Sequence, residues 1–232
     1  RFISMARPLI SIACSIARLG SGKSVHAYLA RPAKTPAPAI VTIHEWWGLN
    51  DQIKAVTAEF ARQGYLALAI DLMGDAVATT ADVARAQMKA VDGAEADETA
   101  AHWVNWLRGH DKSTGKIGTV GWCFGGGWSL NASIAAPVDA TGIYYGRVTR
   151  PEQDLARLRG PVLGHFATQD KWINKKMVGA FEAAMKGAGK SIASHWYEAN
   201  HAFANPTSAR YDAGDATLAW TRTLDFFRAN LG

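Results

Sequence analysis

Apolar positions along this chain fall into two alternating periods. Ile10, Ile12, Cys14 and Ile16 interleave with Ser11, Ala13, Ser15 and Ala17, and this period of two predicts a strand over about 9–17. A second strand is predicted over 24–30, with Gly20-Ser21-Gly22-Lys23 as the hairpin turn between them. Ala39 to His44 is a continuous apolar run of the kind buried on both faces of a parallel sheet. A helix is predicted from Asp51 to Gln63, with Asn50 placed to cap it. Tyr65 to Ile70 is the next strand, Ala81 to Arg108 a long and partly helical connection, and Ile117 to Gly121 a strand leading into a helix after Gly125. Further strands are predicted over 140–145, 161–167 and 192–197, and further helices near 173–188 and 208–229. No linker interrupts the alternation. It predicts a single α/β domain over 1–232, with a mostly parallel sheet, helices on both faces and an N-terminal antiparallel hairpin.

Composition narrows the function classes. With 232 residues, 48% hydrophobic and 19% charged, the chain can bury a full core without disulfide or metal staples. Its two cysteines, Cys14 and Cys123, are too few for a disulfide framework, and a reducing cytoplasm fits best. Lys and Arg outnumber Asp and Glu by 25 to 20, but they are scattered, so no nucleic-acid partner is expected. No run is long enough to span a bilayer, and no membrane partner is expected. The first residue is Arg1; Met5 could be the natural start, and residues 1–7 are expected to be disordered or a start-site artefact. Gly20 to Ser24 has the look of a phosphate-binding loop, but Ala17 stands where that motif needs glycine and a strand pattern follows where it needs a helix.

Gly121-Trp122-Cys123-Phe124-Gly125-Gly126, directly after an apolar strand, carries the chemistry. It reads as a nucleophile elbow, the strained strand-to-helix turn that lifts one side chain above the sheet, with cysteine in the usual place of serine. Functional groups in open α/β sheets gather beyond the carboxyl ends of the strands. Those positions hold His44, Glu45, Trp46 and Trp47, then Cys123, then Asp170, then His201. Nucleophile, acid and histidine follow one another in the order of the α/β-hydrolases. His201 is placed to act as base toward Cys123, and Asp170 to orient the imidazole. His44 reads as an oriented strand-end residue.

In these segments the chain resembles the dienelactone hydrolase family of α/β-hydrolases. The matching residues are His44-Glu45-Trp46-Trp47-Gly48-Leu49-Asn50, the Gly121–Gly126 elbow, Tyr144-Tyr145-Gly146, Asp170, and His195-Trp196-Tyr197-Glu198 leading to His201-Ala202-Phe203. The resemblance implies a Cys123–His201–Asp170 triad. It also implies that Glu45 contacts the resting thiol and takes its proton when substrate binds, and that the backbone amides of Trp46 and Phe124 form an oxyanion hole. No cofactor and no metal are expected.

The chain departs from the family pattern where substrate is held. The resemblance leads to an expected arginine within the run Asp71-Leu72-Met73-Gly74-Asp75, where an acid stands, and to another near Asn205. Those arginines hold the substrate carboxylate in the family; Arg85, Arg147 and Arg210 are the candidates to replace them in space. Trp47, Trp122, Tyr144, Tyr145, Trp172 and Phe203 are the expected aromatic lining of an acyl or lactone pocket. The expected activity is hydrolysis of a small ester or lactone through an acyl-cysteine by a monomer or weak dimer. The alternatives are a thioesterase, acyltransferase or cysteine peptidase on the same fold, or a catalytically silent ligand-binding relative.

Overall fold

The computed structural model describes residues 10–232, so the expectation for residues 1–7 lies outside the described residues. The chain runs β1 (Ser11–Arg18), β2 (Ser24–Arg31), β3 (Ala37–Ile43), α1 (Asp51–Arg62), β4 (Leu66–Ile70), α2 (Ala81–Ala90), α3 (Gly93–Gly109), β5 (Ser113–Trp122), α4 (Phe124–Ala135), β6 (Ala140–Tyr144), α5 (Glu152–Leu155), β7 (Val162–Ala167), α6 (Lys175–Gly187), β8 (Ile192–Tyr197) and α7 (Ala213–Leu231). The long connection after β4 resolves into two helices, because Val91 and Asp92 leave helical geometry and the Asp92 side chain accepts from the Glu95 amide to start α3. Asn50 caps α1 in the same way, accepting from the Ile53 amide at 3.1 Å.

The eight strands form one sheet in the order β1-β2-β4-β3-β5-β6-β7-β8. From β4 to β8 neighbours are parallel, while β1 and β2 form an antiparallel hairpin joined antiparallel to β4. Alternate residues of the central strands go to opposite faces. Ile40 and Val120 pack with Phe60 of α1 and Phe227 of α7. Val41, Ile43 and Ile117 pack with Trp103 and Leu107 of α3 on the other side. At the far edge the alternation of β1 has a different meaning. Ile12 and Ile16 are 58% and 68% exposed on the outermost strand.

After β3 the chain turns back to β4 on one side, then crosses to β5 on the other. The reversal opens a crevice between the ends of β3 and β5. Glu45 follows β3 and Cys123 follows β5, so topology alone brings these two residues to one place.

The junction is tight enough to require glycine. A Cβ on Gly121 would lie 1.9 Å from the Gly125 carbonyl oxygen, and one on Gly125 would lie 2.2 and 2.4 Å from the Ile43 and His44 oxygens. All these obstacles are backbone, with nothing flexible to give way. Gly125→Ala is therefore expected to destabilise the protein by about 3 kcal/mol or more in chemical denaturation. A change under about 0.5 kcal/mol would show that the elbow does not rest on β3.

Candidate active site

Cys123 stands on the elbow at φ 54°, ψ −116°, a conformation L-residues rarely adopt. It is held there by its own amide, which donates to the Tyr144 carbonyl at 3.0 Å, and by its carbonyl, which accepts from Gly126 at 3.0 Å. Tyr145 and Ala202 also have positive φ, at 37° and 65°. Strained backbone gathers where side chains must be aimed.

His201 lies between the sulfur and an acid. Its Nδ1 is 2.6 Å from Asp170 Oδ2 and its Nε2 is 3.1 Å from Cys123 Sγ. Asp170 Oδ1 accepts from the amides of Trp172 and Ile173 at 2.8 and 3.0 Å, so both carboxylate oxygens are engaged. Burial pushes the Asp170 carboxyl up, but the His201 hydrogen bond, its charge and the two amides outweigh it and leave the pKa below the ordinary value. An ionised Asp170 accepts a hydrogen bond from Nδ1–H, which leaves Nε2 bare to accept from the thiol.

Glu45 is buried close enough for its charge to act on the sulfur. Its Oε2 accepts from Asn205 Nδ2 at 2.8 Å, while Oε1 is buried with no hydrogen-bond partner among the described residues. Burial raises its pKa, opposed by the Asn205 hydrogen bond and the charges of His201 and Arg210. The Cys123 thiol is pushed far up, first by burial and then by the Glu45 charge. His44 holds the acid's backbone in place: its Nδ1–H donates to the Glu45 carbonyl at 2.6 Å and its Nε2 accepts from the Leu72 amide at 3.1 Å. Burial lowers the pKa of His44, in keeping with a neutral ring that orients the turn. Tyr145 is fully buried beside them, its phenol kept protonated by burial and then by the Glu45 and Cys123 charges.

These groups open into a cleft of about 920 Å³ lined by Glu45, Cys123, His201 and Asn205 at its floor. With this geometry stand the comparisons. The family model described as the dienelactone hydrolase family matches residues 25–231. The carboxymethylenebutenolidases of Pseudomonas putida and Pseudomonas knackmussii are each 31% identical to this chain over 218 residues, covering 88% of it and 91% of their own length. The chain belongs to the dienelactone hydrolase family. It is a hydrolase of that type. Its fold is shared with the solved structure of a dienelactone hydrolase-like promiscuous phosphotriesterase from metagenomic libraries, with a TM-score of 0.87 at 22% identity over 96% of this chain and all of the other.

Within this dienelactone hydrolase fold, the six expected pocket aromatics divide. Trp47, Tyr145 and Trp172 line the cleft. Trp122, Tyr144 and Phe203 do not, and are corrected to core residues. Trp122 and Tyr144 stack at 5.4 Å on the sheet face that meets α7, where the Tyr144 hydroxyl bonds Thr223 at 2.7 Å. Phe203 is enclosed by Tyr145 and Tyr197, with ring centroids at 5.4 and 4.8 Å. The Trp122 and Tyr144 side chains point the other way because consecutive strand-end residues alternate faces.

Several cleft residues had escaped the sequence reading. Asn205, marked there only by a missing arginine, is the partner of Glu45. Trp128 and Asn131 join Phe124 and Gly127 on one face of α4, at the i, i+3, i+4, i+7 spacing that could have revealed them. Arg85, Arg147 and Arg210 all line the cleft, as does Arg150. Among the described residues no cluster has metal-ligand geometry, and no helix is long and apolar enough to cross a membrane.

The raised pKa of Glu45 has a stability consequence. A carboxyl whose folded pKa lies above its unfolded value weakens the fold as pH rises through that interval, because the charge must be buried. Glu45→Gln removes the charge and keeps an acceptor for Asn205. Its stability relative to wild type is expected to improve steadily from pH 4 to pH 8 in parallel urea titrations. A difference that stays flat with pH would mean Glu45 is not strained by its burial.

Proposed function

We propose that the chain hydrolyses a small ester or lactone through an acyl-cysteine intermediate, with Cys123 as nucleophile, His201 as acid and base, and Asp170 as the group that orients His201. The observation that carries this reading is the unbroken line from Asp170 Oδ2 through His201 to Cys123 Sγ, at 2.6 and 3.1 Å. The activity of the Pseudomonas relatives, named as carboxymethylenebutenolidases, supports a lactone as one substrate class.

In this mechanism the thiol proton passes to His201 Nε2 as sulfur bonds to the substrate carbonyl carbon, and Asp170 stabilises the imidazolium. The carbonyl oxygen becomes an oxyanion and turns toward the amides of Trp46 and Phe124. Phe124 opens α4, so its N–H is one of those a helix cannot satisfy internally. Collapse breaks the ester C–O bond, and the leaving oxygen takes the proton from Nε2. Water then gives a proton to Nε2 while its oxygen attacks the thioester, and the released thiolate recovers that proton. No net proton or electron is consumed beyond the water added.

Glu45 governs when this happens. As a carboxylate in a dry site it opposes a thiolate beside it, so the resting sulfur stays protonated and poorly reactive. When Glu45 takes up a proton the opposition ends, and the thiol can pass its own proton to His201.

Cys123→Ala is expected to lower kcat/KM for p-nitrophenyl acetate by about 10³-fold or more, with circular dichroism and Tm unchanged. Rapid-quench mass spectrometry of the wild type is expected to find an acetyl group on Cys123. Full turnover by the alanine variant would overturn the mechanism.

A further inference from the structure

Helix α2 lies at the edge of the cleft and is hardly buried: of its ten residues only Ala84 is fully enclosed. Gln87 and Met88 are half-buried, as is Val91 just beyond the helix. These four stand at i, i+3, i+4 and i+7, so they form the face by which α2 docks. Three of them are apolar. The fourth is a glutamine, in a stripe where burial favours leucine or methionine. Its contact accounts for the exception: Gln87 Nε2 donates to the Trp46 carbonyl at 2.8 Å, across 41 residues of sequence.

That hydrogen bond belongs to a set. The Glu45 carbonyl accepts from His44 Nδ1 at 2.6 Å and from the Gly48 amide at 3.2 Å, and the Trp47 carbonyl accepts from the Ala78 amide at 2.9 Å. Gly48 lets the segment before α2 come this close, because a Cβ on it would lie 2.1 Å from the Ala76 carbonyl oxygen. The carbonyls of Glu45, Trp46 and Trp47 are thus gripped in succession, the last two by the segment that carries α2. A trans peptide is planar, with N–H opposed to C=O, so holding the Glu45 carbonyl aims the Trp46 N–H the opposite way. Only the torsions of Trp46 separate that plane from the next, and Gln87 holds the next. With both planes fixed, the Trp46 N–H has one direction.

We propose that Gln87 is a positioning residue of the oxyanion hole, holding the Trp46–Trp47 peptide so that the Trp46 amide stays aimed at the developing oxyanion. The role rests on the ester-hydrolase reading, in which that amide is a donor. Gln87 acts through the backbone and touches no reacting atom. The same helix supplies Arg85, Met88 and Lys89 to the cleft wall, so one docked element sets both the wall and the oxyanion donor.

Gln87→Leu keeps the docking stripe apolar and removes the donor. It is expected to lower kcat for p-nitrophenyl acetate about tenfold with KM little changed, less than the roughly 10²–10³ that losing a whole oxyanion donor costs. Affinity for a trifluoromethyl ketone, whose addition to Cys123 places an oxyanion at the same donors, is expected to fall by the same factor. Iodoacetamide needs the thiolate but forms no oxyanion, and is expected to alkylate Cys123 at the wild-type rate. Gln87→Glu separates hydrogen bonding from shape: a carboxylate cannot donate and a carboxylic acid can, so its activity relative to wild type is expected to rise as pH falls from about 8 toward 5. Equal losses in ketone binding and alkylation would show a general disturbance of the site and overturn the role. Order parameters of the Trp46 and Trp47 amides in the ligand-free protein, from nitrogen relaxation, read the positioning without turnover. They are expected to fall in Gln87→Leu from the rigid-backbone value of about 0.85. Such a fall, where the wild type hydrolyses no ester and binds no ketone, would sustain the hold on the peptide and defeat the hydrolase reading. Unchanged order parameters with unchanged ketone affinity would defeat the positioning itself.

Discussion

The contact of the elbow with the end of β3 is the constraint on which the site depends. Gly125 rests on the Ile43 and His44 carbonyls with no room for a Cβ, and Gly121 passes just as closely under Gly125. Replacing either would separate two strand ends that must touch. Their contact sets Cys123 at the start of α4 and Glu45 beside it, while His44 ties the Glu45 carbonyl to the turn after β4. The left-handed backbone at Cys123 is a cost the surrounding packing can carry, because five strands buried on both faces fix the frame around it.

Charge in this dry space then divides the labour. Asp170 spends its hydrogen bonds on His201 and two amides, and its pKa falls despite burial. Glu45 accepts from the neutral amide of Asn205, and burial makes its pKa rise. Two carboxyls that border the same thiol and imidazole are thus pushed in opposite directions by what each is bonded to. The first holds its charge more firmly than an ordinary carboxyl, and the second gives its charge up more readily. An arginine in place of Asn205 would hold Glu45 ionised. The amide leaves the acid easier to protonate and moves positive charge out to the walls, where Arg147, Arg150 and Arg210 stand.

The architecture, and the residues that meet at the proposed site, were largely legible in the sequence. Glycine spacing marked the elbow, apolar runs marked the parallel strands, and the strand-end positions picked out Glu45, Asp170 and His201. Which way a strand-end aromatic points was not legible. Trp122 and Tyr144 both end strands, yet they face α7 and fill the core, while Tyr145 one residue on lies at the cleft. A shift of one residue reverses the face, and residue type says nothing of the parity. The pairing of Asn205 with Glu45 spans 160 residues and depends on the loop after β8. The apolar period of β1 correctly signalled a strand, but Ile12 and Ile16 face outward at the sheet edge. Periodicity reports that one face differs from the other; packing decides which face is covered.

The central claim is that the buried Glu45 carboxyl controls the ionisation of Cys123. The rate of iodoacetamide alkylation at Cys123, followed by mass spectrometry from pH 5 to pH 9, tests it most directly in wild type and Glu45→Gln. The account predicts slow alkylation of the wild type throughout, and in the variant a faster reaction whose rise begins at lower pH, because removing the neighbouring charge eases loss of the thiol proton. Superimposable profiles for the two proteins would contradict it.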